Sequence, residues 1–142
     1  MELERTTWWV ISADVPRGVI RLTWLSANAP VPDRDFMAAL ERLGDLAAER
    51  ASTELLEDLR ALGRQLSPDL GRWIDEELVP RYQRQCIAKW AFVTGSEPSA
   101  NQSIVNGTPA RRFFATEAAA KTWLARTRRG RGKAWRSTHS SS

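Results

Sequence analysis

Thr53-Glu54-Leu55-Leu56-Glu57-Asp58-Leu59-Arg60-Ala61-Leu62-Gly63-Arg64-Gln65-Leu66 is the stretch on which the fold turns. By periodicity it is a helix. Leu55, Leu59, Leu62 and Leu66 recur at helical intervals, and Glu54, Glu57, Asp58 and Arg60 are poor strand formers. Its flanks are plainer. Upstream, Asp33 stands as an N-cap with Asp35 in the first turn, and Phe36, Leu40, Leu43 and Ala47 follow at helical spacing, so 34–49 reads as an amphipathic helix. Downstream, Ser67-Pro68-Asp69 starts another helix, with Ser67 as cap and Pro68 in the first helical position. Leu70, Trp73, Ile74, Leu78 and Tyr82 trace its buried face, and Pro80 predicts a kink or stop near Val79.

Farther out the pattern is β. Thr7-Trp8-Trp9-Val10-Ile11 is β-branched and aromatic. In Val19-Ile20-Arg21-Leu22-Thr23-Trp24-Leu25 the apolar side chains alternate with Arg21 and Thr23, as in a half-buried strand. Asp14-Val15-Pro16-Arg17-Gly18 makes the turn of a hairpin over 8–25. A strand would point the adjacent Trp8 and Trp9 to opposite faces, one of them over a helix layer or a subunit contact. Ile87-Ala88-Lys89-Trp90-Ala91-Phe92-Val93-Thr94 reads as a buried central strand, with Cys86 beside it as an inert buried thiol. Residues 95–110 form a long loop that Ile104 and Val105 can pin to the body. Arg111–Ala115 is a short strand, and Thr116 caps a last helix with Glu117 in its first turn.

The chain has 142 residues, 42% hydrophobic and 27% charged, which suits one domain with an ordinary core. One cysteine excludes an internal disulfide and a cysteine metal site. The single histidine, His139, lies in a serine-rich tail and is poorly placed for a rigid catalytic triad. No legible acid–base pair or nucleophile constellation points to an enzyme, and no cofactor is expected. No window approaches the ~20 apolar residues needed to span a bilayer. The acidic start Met-Glu-Leu-Glu-Arg lacks the order of a signal peptide, so a cytoplasmic location is expected. The net charge of +4 is uneven. Arg126, Arg128, Arg129, Arg131, Lys133 and Arg136 lie in residues 126–142 without an acid, and outside that tail 15 basic residues face 17 acids. A domain over 1–125 followed by a basic, disordered tail is the organisation expected.

The order of Asp58-Leu59-Arg60-Ala61-Leu62-Gly63, Leu66-Ser67-Pro68-Asp69, Trp73-Ile74, Leu78-Val79-Pro80-Arg81 and Ala88-Lys89-Trp90-Ala91-Phe92-Val93 resembles the SpoIIAA-like branch of the STAS superfamily. So does Arg112-Phe113-Phe114 followed by Glu117-Ala118-Ala119 and Trp123-Leu124. These are small bacterial proteins related to anti-sigma-factor-antagonist domains, a branch sometimes joined to lipid-binding SEC14-like domains. The resemblance covers roughly residues 8–125 and implies an α/β fold: a mixed sheet of about five strands with three helices, in the order β-β-α-β-α-β-β-α. It implies a strand at Leu55–Leu59, although the family pattern has an apolar residue where Glu57 stands. Chain topology agrees. Three consecutive helices would leave the run at 87–94 with only the hairpin to pair with, whereas a crossover through helix 34–49 is ordinary right-handed βαβ topology.

The resemblance implies a non-enzymatic regulatory or protein-interaction module with an unidentified protein partner. Its relatives are switched by a phosphorylated serine at a helix start, which falls near Ser67 here; the family's Asp-Ser-Ser signature is absent. A phosphate suits a helix N-terminus, and a plain cap explains the same serine. The alternative is a pocket for a lipid or other small apolar ligand, for which Trp24, Trp73 and Trp90 are the candidate lining, against the commoner fate of aromatics as core. The tail offers nucleic acid a polyanion contact through Arg126, Arg128, Arg129, Arg131, Lys133 and Arg136, with Trp135 to stack, against the plainer reading of a solubilising terminus. Asp58 and Arg60 read as an ion pair. A homodimer is a further possible assembly.

Overall fold

In the computed structural model, Glu54–Asp58 is a strand, β4, at the centre of a seven-stranded mixed sheet. The structure describes residues 1–14, 18–26, 29–96, 104–105 and 107–125. Before β4 come β1 (Glu2–Arg5), β2 (Trp9–Asp14), β3 (Val19–Trp24) and helix α1 (Asp33–Glu49). After it come α2 (Pro68–Trp73), a π-helical turn (Ile74–Leu78), α3 (Val79–Arg84), β5 (Lys89–Val93), β6 (Ile104–Val105), β7 (Ala110–Phe114) and α4 (117–125). The strands lie in the order β1-β2-β3-β4-β5-β7-β6. β4 runs parallel to β3, with Ile20 opposite Leu55, and parallel to β5, with Leu55 opposite Trp90. β5 and β7 are parallel as well, while β1 and β2 on one side and β6 on the other pair antiparallel.

All five residues of β4 are buried, which is why no polar–apolar alternation marks it. Leu55 packs beneath α1 to α3 in the larger core with Ile20, Leu22, Phe36 and Leu40. Leu56 faces the other way, toward Val19, Val93, Ala120 and Trp123 beneath α4. The remaining leucines of the helical pattern belong to the following loop: Leu59 and Leu62 lean on the core, and Leu66 is 48% exposed.

The five expected strands are β2, β3, β4, β5 and β7; the two additional ones are the edges β1 and β6. Charged Glu2-Leu3-Glu4-Arg5 does not look like a strand, yet such residues are what a sheet edge carries. Ile104 and Val105 pin their loop by pairing with Arg112 and Arg111. Thr116 caps α4 by accepting the Ala119 N–H.

Four local expectations are corrected. α1 starts at Asp33, with extended Pro32 in the cap position; Asp33 is drawn to Arg64 instead, at 2.8 Å. Of the kink or stop expected near Val79, the stop is absent, and the helix changes there from π to α geometry. The wider π turn before Pro80 gives room where the proline ring and its missing N–H disturb the α ladder, and α3 continues to Arg84. Trp8 precedes β2 and is not alternated to the other face; it packs on the same core as Trp9. Cys86 is exposed, not buried. It occupies a left-handed position (φ 64°) just beyond α3, where Cys86 N–H donates to Gln83 O and Ile87 N–H to Tyr82 O. Ala51 (φ 56°) does the same beyond α1, with Ala51 N–H on Ala48 O and Ser52 N–H on Ala47 O. Both are Schellman ends built without glycine.

Gly44 sets the approach of α1 to α3. A Cβ there would lie 2.6 Å from the Tyr82 ring, whose hydroxyl donates to Leu40 O at 2.6 Å. Among the described residues no helix is long and apolar enough to cross a membrane. Val15, Pro16 and Arg17 of the hairpin turn, part of the 95–110 loop, and the tail with Arg126, Arg128, Arg129, Arg131, Lys133, Arg136 and His139 lie outside the described residues.

Candidate functional site

Glu57 sits on the same face of β4 as Leu55, so its carboxyl projects into the larger core under the helices. It is 2% exposed. Two indoles hold it. Trp24, the last residue of β3, donates Nε1–H to Oε2 at 2.8 Å, and Trp90 of β5 donates Nε1–H to Oε1 at 3.2 Å. Burial pushes the carboxyl up to about 7, and the two indole hydrogen bonds restrain the rise.

The carboxyl borders a cavity of about 590 Å³. Phe36 and Leu40 of α1 form one wall, Leu59 and Leu62 of the loop another, and Trp90, Phe92 and Phe113 the sheet side. Phe92 and Phe113 stack with centroids 4.5 Å apart, and Trp90 meets Phe92 at 4.8 Å, so the floor is a continuous aromatic surface. Besides Glu57, the charged lining is Arg64 and Arg111. Arg64 is tied to protein: Nη1 donates to Val31 O at 2.7 Å and to Asp33 Oδ1 at 2.8 Å. Among the described residues Arg111 pairs only with Asp75, at 3.8 Å, and its buried Nε has no hydrogen-bond partner. Among the described residues the lining holds no serine, threonine, cysteine, histidine or lysine; its ionisable groups are the Glu57 carboxyl and the two guanidiniums, set around a shaped apolar volume.

The three expected pocket tryptophans do not share a cavity. Trp90 lines the one over Glu57. Trp24 borders a neighbouring cavity of about 420 Å³ with Trp8, and joins Trp90 only through the Glu57 carboxyl. Trp73 packs against the edge of the larger core and borders a small polar hollow with Glu41, Glu77, Arg81 and Arg84. Glu57, Arg64 and Arg111 were missed as site residues. The signal was a carboxylate in an apolar slot between two tryptophan-bearing strands.

Asp58 points to the opposite face. Arg60 donates to it from Nη2 at 2.7 Å and from Nε and the backbone N–H at 3.0 Å, as the expected ion pair, and Arg21 adds a contact at 3.3 Å. Burial pushes the Asp58 carboxyl up, but Arg60 outweighs it and holds it below the usual range. Arg21 also grips Glu117 of α4, which Lys121 meets at 3.1 Å; the Arg21 hydrogen bond leads the causes that hold Glu117 down at about 2. This network fastens α4 to the sheet. Ser67 is half-buried, and its Oγ accepts the Leu70 N–H at 3.2 Å as a helix cap, next to Gln65 and Leu66 on the cavity rim. Among the described residues no group of three or more acidic, histidine or cysteine side chains could hold a metal. No protein-family model, curated protein or solved structure matches this chain.

Proposed function

We propose that this chain binds a small, largely apolar ligand in the cavity over Glu57. The observation that carries the reading is a buried carboxyl opening on about 590 Å³ of aromatic-walled space. That volume lies within the range of small-molecule sites, and an apolar pocket with a few convergent polar groups is their usual form. A buried carboxyl is costly to a fold, and such costs concentrate at functional sites. The test is calorimetric titration with decan-1-ol, a neutral probe. Saturable binding at ~10–100 µM is expected for eleven heavy atoms at about 0.5–0.6 kcal/mol each, between the ceilings for the smallest and for drug-sized ligands. Leu62→Trp, which fills the cavity from its loop wall, should weaken it at least tenfold. No saturable binding to the unaltered chain would sink the reading.

A second reading is a regulatory interaction module kindred to the SpoIIAA-like proteins, working in the cytoplasm. Two observations support it: the succession of elements agrees with that arrangement once the two edge strands are set aside, and Leu66 stands 48% exposed beside Ser67. A protein held there would be lost on Ser67→Asp and kept on Ser67→Ala; equal capture by both variants counts against this surface.

A further inference from the structure

Granting the pocket reading, on which this inference rests, the chemistry of the lining narrows the ligand. Deep in the cavity stands Glu57, with both oxygens accepting from indoles and apolar walls around it, where a ligand carboxylate would be buried with no cation to pair it. The two arginines stand nearer solvent, their side chains 15% and 21% exposed for Arg64 and Arg111. Both guanidiniums repel a cation entering between them. Arg64 already spends its Nη1 on Val31 and Asp33 and its Nε on Gln65 O. Arg111 does not. Among the described residues its ion-pair partner is Asp75, which lies at 3.8 Å and is 70% exposed, and its Nε is buried without a hydrogen bond. Arg111 also lies opposite Trp90 in the β5–β7 pairing, beside the aromatic floor.

We propose that the ligand is an amphipathic monocarboxylic acid, its carboxylate paired with Arg111 at the rim and its apolar body laid along Phe92 and Phe113 toward Glu57. A guanidinium matches a carboxylate through two parallel hydrogen bonds, and the buried Nε gains the acceptor it lacks. The apolar end meets walls from Phe36, Leu40 and Ile74. A dicarboxylate is disfavoured because its inner charge would be buried unpaired among apolar walls, and an amine is disfavoured by the two arginines.

Calorimetric titration of the full chain with decanoate and with decan-1-ol tests this. Arg111→Gln should weaken decanoate at least tenfold and decan-1-ol less than threefold, while Arg111→Lys, which keeps the charge, recovers part of the decanoate affinity. Raising salt from 50 to 500 mM should weaken decanoate several-fold on the unaltered chain and leave decan-1-ol unmoved, a readout that survives if Arg111→Gln does not fold. Equal losses for both probes, or decanoate indifferent to both Arg111→Gln and salt, overturn the carboxylate assignment while the pocket stands. Failure of both probes to bind removes the pocket, and this inference with it.

Discussion

At the scale of single residues, Glu57 couples folding to pH. The unfolded chain gives up this proton near 4.5, while the folded chain keeps it to about 7. Between those values the folded state binds more protons, so stability falls as pH rises, and the loss is complete above about 7. For a fully buried group the difference is on the order of 3 kcal/mol. Glu117 acts oppositely: its stabilisation is present above 4.5 and is lost as pH falls toward 2. The thermal midpoint should therefore drop from pH 5.5 to pH 8, and Glu57→Gln should flatten that drop. At pH 5.5 the variant should be the less stable protein, because glutamine has one acceptor oxygen for two indole N–H groups and the unmatched donor costs ~1–3 kcal/mol. An undiminished slope in Glu57→Gln would assign the titration to another group.

At the scale of elements, the ends of α1 and α3 carry a correctable cost. Ala51 and Cys86 hold left-handed backbone that penalises a Cβ by roughly 1–2 kcal/mol, whereas glycine adopts it freely at some expense in unfolded-state entropy. Ala51→Gly and Cys86→Gly should each raise stability by about 0.5–1 kcal/mol in denaturant titrations; a loss in either would mean that its side chain makes a contact of its own. Legibility followed the same physics. Helix starts with side-chain caps, at Ser67 and Thr116, were readable because the cap is chemistry within a few residues. The helix ends were not, since neither carries the expected glycine. β4 was the hardest, because burial on both faces erases alternation and its loop leucines continue a helical rhythm by coincidence. The expectation of a strand there came from the resemblance and from the pairing needs of β5; the segment is a strand, paired in parallel on both sides.

For the whole molecule, the hairpin strands and β5 and β7 were visible from local pattern and the central β4 was not; the site was hidden as well, because it is a product of register. Trp24, Glu57 and Trp90 come from three strands joined by two crossovers, and only their lateral alignment makes one hydrogen-bonded group. That alignment has a consequence for how the chain finds its frame. Slide β4 one step in one direction and Leu56 takes the place of Leu55 while Asp58 takes that of Glu57; slide it the other way and Leu55 replaces Leu56 while Glu57 replaces Asp58. Either slip sets a carboxylate in an apolar slot, Glu57 in that of Leu56 or Glu54 in that of Leu55. The two acids sharpen the choice: the longer one spans both indoles, and the shorter one, tied to the Arg60 backbone, is a peg for the true position. An apolar residue at 57 would ease the burial of the strand and blur where it belongs.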